Sequence, residues 1–196
     1  MVPRFPSLSA ALVVGMLAGC SSLPVGSILP LSRIDIESTA LPELRVAVRL
    51  PNGLRPQPGG VTLDAVLRID GQAERRTSFL LVETQGAEDT TGLAREQRPG
   101  FTIFAYKLSA EDTGRFDALR QEPAKARGAG RTGSLGFGVA TRQFCLADQP
   151  LAGPLLTSTY IWTSETGQYV TASDGLDLRN QPDIASDLGT LTRCAN

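Results

Sequence analysis

Three aromatic side chains sit close together in one alternating stretch: Tyr160, Trp162 and, past a turn, Tyr169. Residues two apart in a strand point to the same side, so Tyr160 and Trp162 share a face, and a hairpin at 164–167 would bring Tyr169 beside them. Such a group is a possible binding patch, since flat rings contact ligands well. The commoner use of these residues is core or cross-strand pairing. Carboxylates for general acid–base work could be drawn from Glu83, Glu88, Asp89 and Glu165. Each falls at a strand end or in a loop, and nothing sets one opposite another, as an acid–base pair requires. The chain has no His, which removes Ser-His-Asp and Cys-His nucleophiles and His-ligated zinc. Serine with Lys107 or Lys125 forms no recognisable nucleophile motif. Asp174, Asp177, Asp183 and Asp187 cluster near the C-terminus but lack the loop pattern that gathers six to eight oxygens around calcium, so turn and cap roles are expected. No catalytic residue, metal or cofactor is expected from these patterns.

The N-terminus is more specific. Arg4 precedes an apolar stretch, residues 9–18, which is shorter than the ~20 apolar residues of a membrane-spanning helix and of the length of a removable signal. It closes on Leu17-Ala18-Gly19-Cys20, which resembles the lipobox of bacterial lipoproteins. The resemblance covers the first tenth of the chain. It implies that residues 1–19 are a signal peptide, that Cys20 carries lipid such as palmitate, and that residues 20–32 are a tether before one domain at 33–196. A bacterial lipoprotein carries two or three acyl chains, enough for near-permanent anchoring. Ser21 follows Cys20; in the Gram-negative pattern that choice implies the outer membrane, with the protein facing the periplasm.

With Cys20 lipidated, Cys145 and Cys194 remain as a pair. In an oxidising compartment a disulfide is the default reading; two separate buried thiols are the alternative. The formal net charge of −1 argues against a nucleic-acid partner. Arg115, Arg120, Lys125, Arg127 and Arg131 could meet an anionic surface, but Glu111, Asp112, Asp117 and Glu122 interleave with them, as on a solvated face.

The elements that must position these residues are mostly strands. The 20 Gly and 13 Pro are spread along the chain and favour short elements joined by turns. Val46, Val48 and Leu50 alternate with Arg45, Ala47 and Arg49, and the residues from Val61 to Ile69 alternate in the same way up to the turn signal Asp70-Gly71. Phe79-Leu80-Leu81-Val82 reads as a strand covered on both faces, residues 85–100 as a long polar loop, and Phe101, Ile103 and Ala105 as one face of the next strand. Ser109 caps an expected helix from Ala110 to about Gln121, and 124–133 reads as a Gly-rich loop. Leu135, Phe137, Val139 and Cys145 are in phase, while Gly136 and Gly138 leave the other face of their strand bare. Asp174-Gly175 reads as a turn, and Ile184, Leu188 and Leu191 have helical spacing.

Seven or eight short strands with turns between them predict a mainly β fold: an antiparallel β-sandwich, immunoglobulin-like in architecture only, with one short helix. The body resembles the uncharacterised envelope lipoproteins of Gram-negative bacteria. The function expected is non-catalytic: a binding or assembly factor that contacts another envelope protein. A carrier with a lipid- or ligand-holding cavity between its sheets and a carboxylate-dependent hydrolase are the alternatives.

Overall fold

The computed structural model describes residues 34–147, 151, 153–181, 184–185 and 188–195. The expected signal peptide, Cys20 and the tether lie outside the described residues, as do Asp183 and Asp187. In chain order the described strands are β1 (Arg45–Pro51), β2 (Leu54–Pro56), β3 (Val61–Ile69), β4 (Arg75–Glu83), β5 (Phe101–Leu108), β6 (Gly133–Thr141), β7 (Phe144–Leu146), β8 (Leu156–Trp162) and β9 (Tyr169–Asp177). Helices α1 (Ala110–Arg120) and α2 (Glu122–Gly128) lie between β5 and β6. The protein is mainly β: among the described residues seven strands form one curled antiparallel sheet in the order β6-β3-β4-β5-β1-β8-β9, and β2 pairs separately with β7.

The alternation of β3 becomes its burial pattern, with Val61, Leu63, Ala65, Leu67 and Ile69 in the core. Val46, Val48 and Leu50 of β1 join the same core, because residues two apart lie on one side of a pleated strand. β4 and β5 pair at Leu81↔Leu108, Val82↔Lys107 and Glu83↔Tyr106. Ahead of those positions they part, and the start of α1 takes over the edge of β4. Ser109 N donates to Leu80 O at 3.1 Å, and the buried Asp112 carboxylate accepts from Leu80 N at 2.5 Å. The Ser109 cap is present, its Oγ accepting from Asp112 N at 3.0 Å. Phe116 of α1 then stacks edge-on against Phe79 of β4, ring centroids 4.9 Å apart.

Four local expectations need correction. Residues 124–128, expected as the start of a Gly-rich loop, are the body of a second helix at 122–128; Pro123 sits in the first turn of α2, where a missing N–H costs nothing. Leu80 is 37% exposed, since α1 packs on Phe79 and leaves the outward side of β4 open. The strand holding Leu135 to Val139 does not continue to Cys145. It breaks at Gln143, a non-glycine residue with φ 54°, and Phe144–Leu146 leaves to pair with β2. Asp174-Gly175 is not a turn. β9 runs through it, and the pairing with β8 shifts register there, an irregularity that the φ of 64° at Gly175 accommodates.

Candidate functional site

The β8–β9 hairpin sets the frame. Its turn is closed by Gly167 N donating to Thr163 O at 2.9 Å and by Thr163 N donating to Thr166 Oγ1 at 3.1 Å. The register then places Tyr169 opposite Trp162, and Arg45 of β1 on the other side of Trp162. Three strands thus present Arg45, Trp162 and Tyr169 in one row on the outward face of the sheet. The next rows carry Ala47 beside Tyr160, and Arg49 beside Ser158.

The 85–100 connection lies over these rows. It contains two 3-10 turns, Ala87–Thr90 and Ala94–Glu96, and its apolar anchor is Leu93, fully buried against Ala47 and Tyr160. Two arginines of β1 hold it down. Arg45 Nε donates to Asp89 Oδ1 at 2.7 Å, and Arg49 Nη1 donates to Glu96 O at 2.8 Å and forms an ion pair with Glu96 Oε2 at 3.2 Å. Arg49 also pairs with Asp174 at 3.1 Å and stands 5.7 Å from the Tyr160 ring centroid. Tyr160 donates to Glu96 Oε2 at 3.0 Å, and the Tyr169 hydroxyl donates to the Asp89 carbonyl.

This roof divides the three aromatics. Tyr160 is buried and structural. Trp162 and Tyr169 stay half-buried and line a groove of about 490 Å³ beside Glu43, Arg45, Glu88 and Asp89. Burial, and then the negative charge of Asp89, push the Tyr169 phenol up to about 12, so it remains a neutral donor at physiological pH. Burial would raise the Asp89 carboxyl, but hydrogen bonds from Arg45 and Thr84 and the Arg45 charge outweigh it and hold Asp89 below its ordinary value of 3.8. A depressed folded-state value contributes stability that is present above 3.8 and is lost as pH falls through the lower folded value. Acid titration followed by Trp162 fluorescence is therefore expected to show the groove opening at a midpoint below 3.8, and Asp89→Asn to remove that transition. A transition unchanged in Asp89→Asn would show that the clamp does not govern the groove.

The other sequence candidates disperse. Glu83 pairs with Arg55 at 3.1 Å, and Glu165 accepts from Thr39 Oγ1 at 3.2 Å, so of the four carboxylates only Glu88 and Asp89 come together. Asp177 caps the turn at Leu178–Asn180, accepting from Arg179 N at 3.0 Å. In the basic group Arg115 pairs with Asp112, Arg120 with Asp117 and Arg127 with Glu37, as a solvated face would. Gly136 and Gly138 lie exposed on the edge strand β6, each paired with β3. Cys145 and Cys194 form a disulfide. Sequence reading missed Glu43, Arg45 and Arg49 as site residues; the two arginines were visible as the outward set of β1, but their partners lie about 44 to 125 residues away.

A second cavity, of about 200 Å³, opens where the curled sheet brings the end of β6 near β8 and β9, among Val139, Arg142, Thr157, Thr159 and Leu176. The Thr157 hydroxyl there is buried without a hydrogen-bond partner. Comparison with family models, with curated proteins and with solved structures finds no match to this chain.

Proposed function

We propose that this chain is a lipoprotein of the bacterial envelope, anchored through lipid on Cys20 to the outer membrane and facing the periplasm, and that its domain is a non-catalytic binding or assembly factor for another envelope protein. The observation that carries the binding role is the groove over Trp162 and Tyr169. One wall of it is fixed by the Arg45–Asp89 ion pair, and its volume of about 490 Å³ falls in the range of ligand sites. Anchoring is supported by the lipobox residues 17–20. We read the curled sheet as an immunoglobulin-like sandwich with β6-β3-β4 as one leaf and β5-β1-β8-β9 as the other, a reading supported by the short β4–β5 junction.

The carrier reading is supported by the cavity at Thr157, but its volume of about 200 Å³ lies below that range and the interior is filled by residues such as Leu63, Phe79 and Phe116. The hydrolase reading is weaker, because Glu83, Asp89 and Glu165 each already hold a partner.

The test is photocrosslinking in cells from Gln168 on the groove rim, with Arg76 on β4 as the control position. One envelope protein captured from Gln168, absent from Arg76 and lost in Cys20→Ala, is the expected result. Equal capture from both positions would overturn the groove as the binding face. Sedimentation with the inner membrane would overturn the localisation.

A further inference from the structure

We infer that the groove over Trp162 and Tyr169 receives a basic side chain, lysine or arginine, presented by the envelope partner; this rests on the reading of the groove as the binding face. The charge around it is unbalanced. Arg45, the cation among the lining residues, is already committed: its Nε bonds Asp89, and its Nη1 donates to Pro42 O at 2.8 Å and Leu44 O at 3.1 Å. Asp89 is neutralised by the same pair. Glu43 and Glu88 remain, both exposed on the lining, and among the described residues neither side chain takes a hydrogen bond or ion pair. The lining thus carries two carboxylates without a partner against one further nearby cation, Lys107, which is not a lining residue and whose charge acts on Asp89; the balance favours a positive group over an anion.

The floor fits the same chemistry. Trp162 and Tyr169 are a directly opposed cross-strand pair, and indole and phenol faces attract ammonium and guanidinium groups. The Tyr169 hydroxyl is spent on the Asp89 carbonyl, which fixes the ring and leaves its face, not its polar end, for the occupant. An alkyl stem over the rings with its charge between Glu43 and Glu88 would use both features at once. A volume of about 490 Å³ admits such a side chain with parts of its neighbours.

Trp162 is the single tryptophan of the chain, so its fluorescence reports on this groove alone. The full-length protein in a nonionic detergent is titrated with four probes: N-acetyl-Ala-Lys-Ala-amide, the same peptide with norleucine, the same peptide with glutamate, and butylammonium. Saturable binding is expected for the lysine peptide, roughly tenfold weaker binding for the norleucine peptide, and none for the glutamate peptide. The double variant Glu43→Gln/Glu88→Gln, both at exposed positions, is expected to weaken the lysine peptide by a similar factor while leaving the melting temperature unchanged. If norleucine binds as well as lysine, or the double variant binds lysine as before, the cation assignment fails and the groove stands as a binding face of another class. Butylammonium binding tighter than the peptide overturns a protein side chain as the source. Silence from every probe, in fluorescence and in the Trp162 indole resonance, overturns both this inference and the role of the groove.

Discussion

Cys194→Ser and Cys145→Ser are each expected to lower the melting temperature of the oxidised protein by roughly 8–16 °C, and reduction of the wild type to have the same effect. The disulfide spans 49 positions. On the chain-entropy model, closing a loop of that length removes enough freedom from the unfolded chain to stabilise the fold by about 4 kcal/mol. At this domain size each kcal/mol is worth about 2–4 °C. The native contacts agree with a tail that depends on the bond. Cys145 is buried on β7, and the C-terminal segment lies alongside it, with Leu146 N donating to Thr192 O and Cys194 N to Leu146 O, both at 2.9 Å. Ile184, Leu188 and Leu191 pack against the core from the same segment. Calorimetry with and without reductant checks the expectation. The two serine variants should match each other and the reduced wild type, because all three remove one constraint. A melting temperature indifferent to reduction would show that the bond contributes nothing to stability.

Phe116→Ala is expected to cost about 3–5 kcal/mol, the usual range for emptying a fully buried aromatic site. Phe116 is wholly buried on α1 and meets Phe79 of β4 edge-on, a contact worth about 0.5–1.5 kcal/mol beyond its area. The loss falls where β4 and β5 have parted, so β4 is paired there on its β3 side but has no β5 pairing on the other. A domain stable by about 5–15 kcal/mol would lose a large share of its margin. Urea unfolding of the variant should show a lower midpoint with an unchanged slope. Phe116→Leu, which leaves a smaller hole, should fall between the two. A cost below about 1 kcal/mol for Phe116→Ala would mean that α1 is not docked as described.

Much of the local structure was legible in the residues. The period-two runs of β1 and β3, the Ser109 cap, the hairpin at 164–167 and the turn at Asp70-Gly71 all depend on neighbours within a few positions, and the structure contains each. Elements that depend on distant partners were not legible. Nothing near Gln143 says that the chain must leave β6, because the reason is β2, which pairs with Phe144–Leu146. Gly175 reads as a turn in isolation and becomes an irregularity only because β8 continues beside it.

The site divides in the same way. Composition and motifs alone gave the absence of histidine, the aromatic hairpin, the pair of cysteines available to each other, and residues 17–20, whose resemblance to a lipobox is the ground on which anchoring is proposed. Tyr160, Trp162 and Tyr169 look equivalent along the chain. Tertiary structure separates them, since Leu93 descends onto Tyr160 and leaves Trp162 and Tyr169 at the groove. Arg45 and Glu88 likewise become neighbours of that pair only through sheet register and the roofing connection. The physical reason is range: caps, turns and alternation are decided by interactions a few residues apart, whereas which side of a strand is covered, and by what, is decided here by partners 44 to 125 positions away in the sequence.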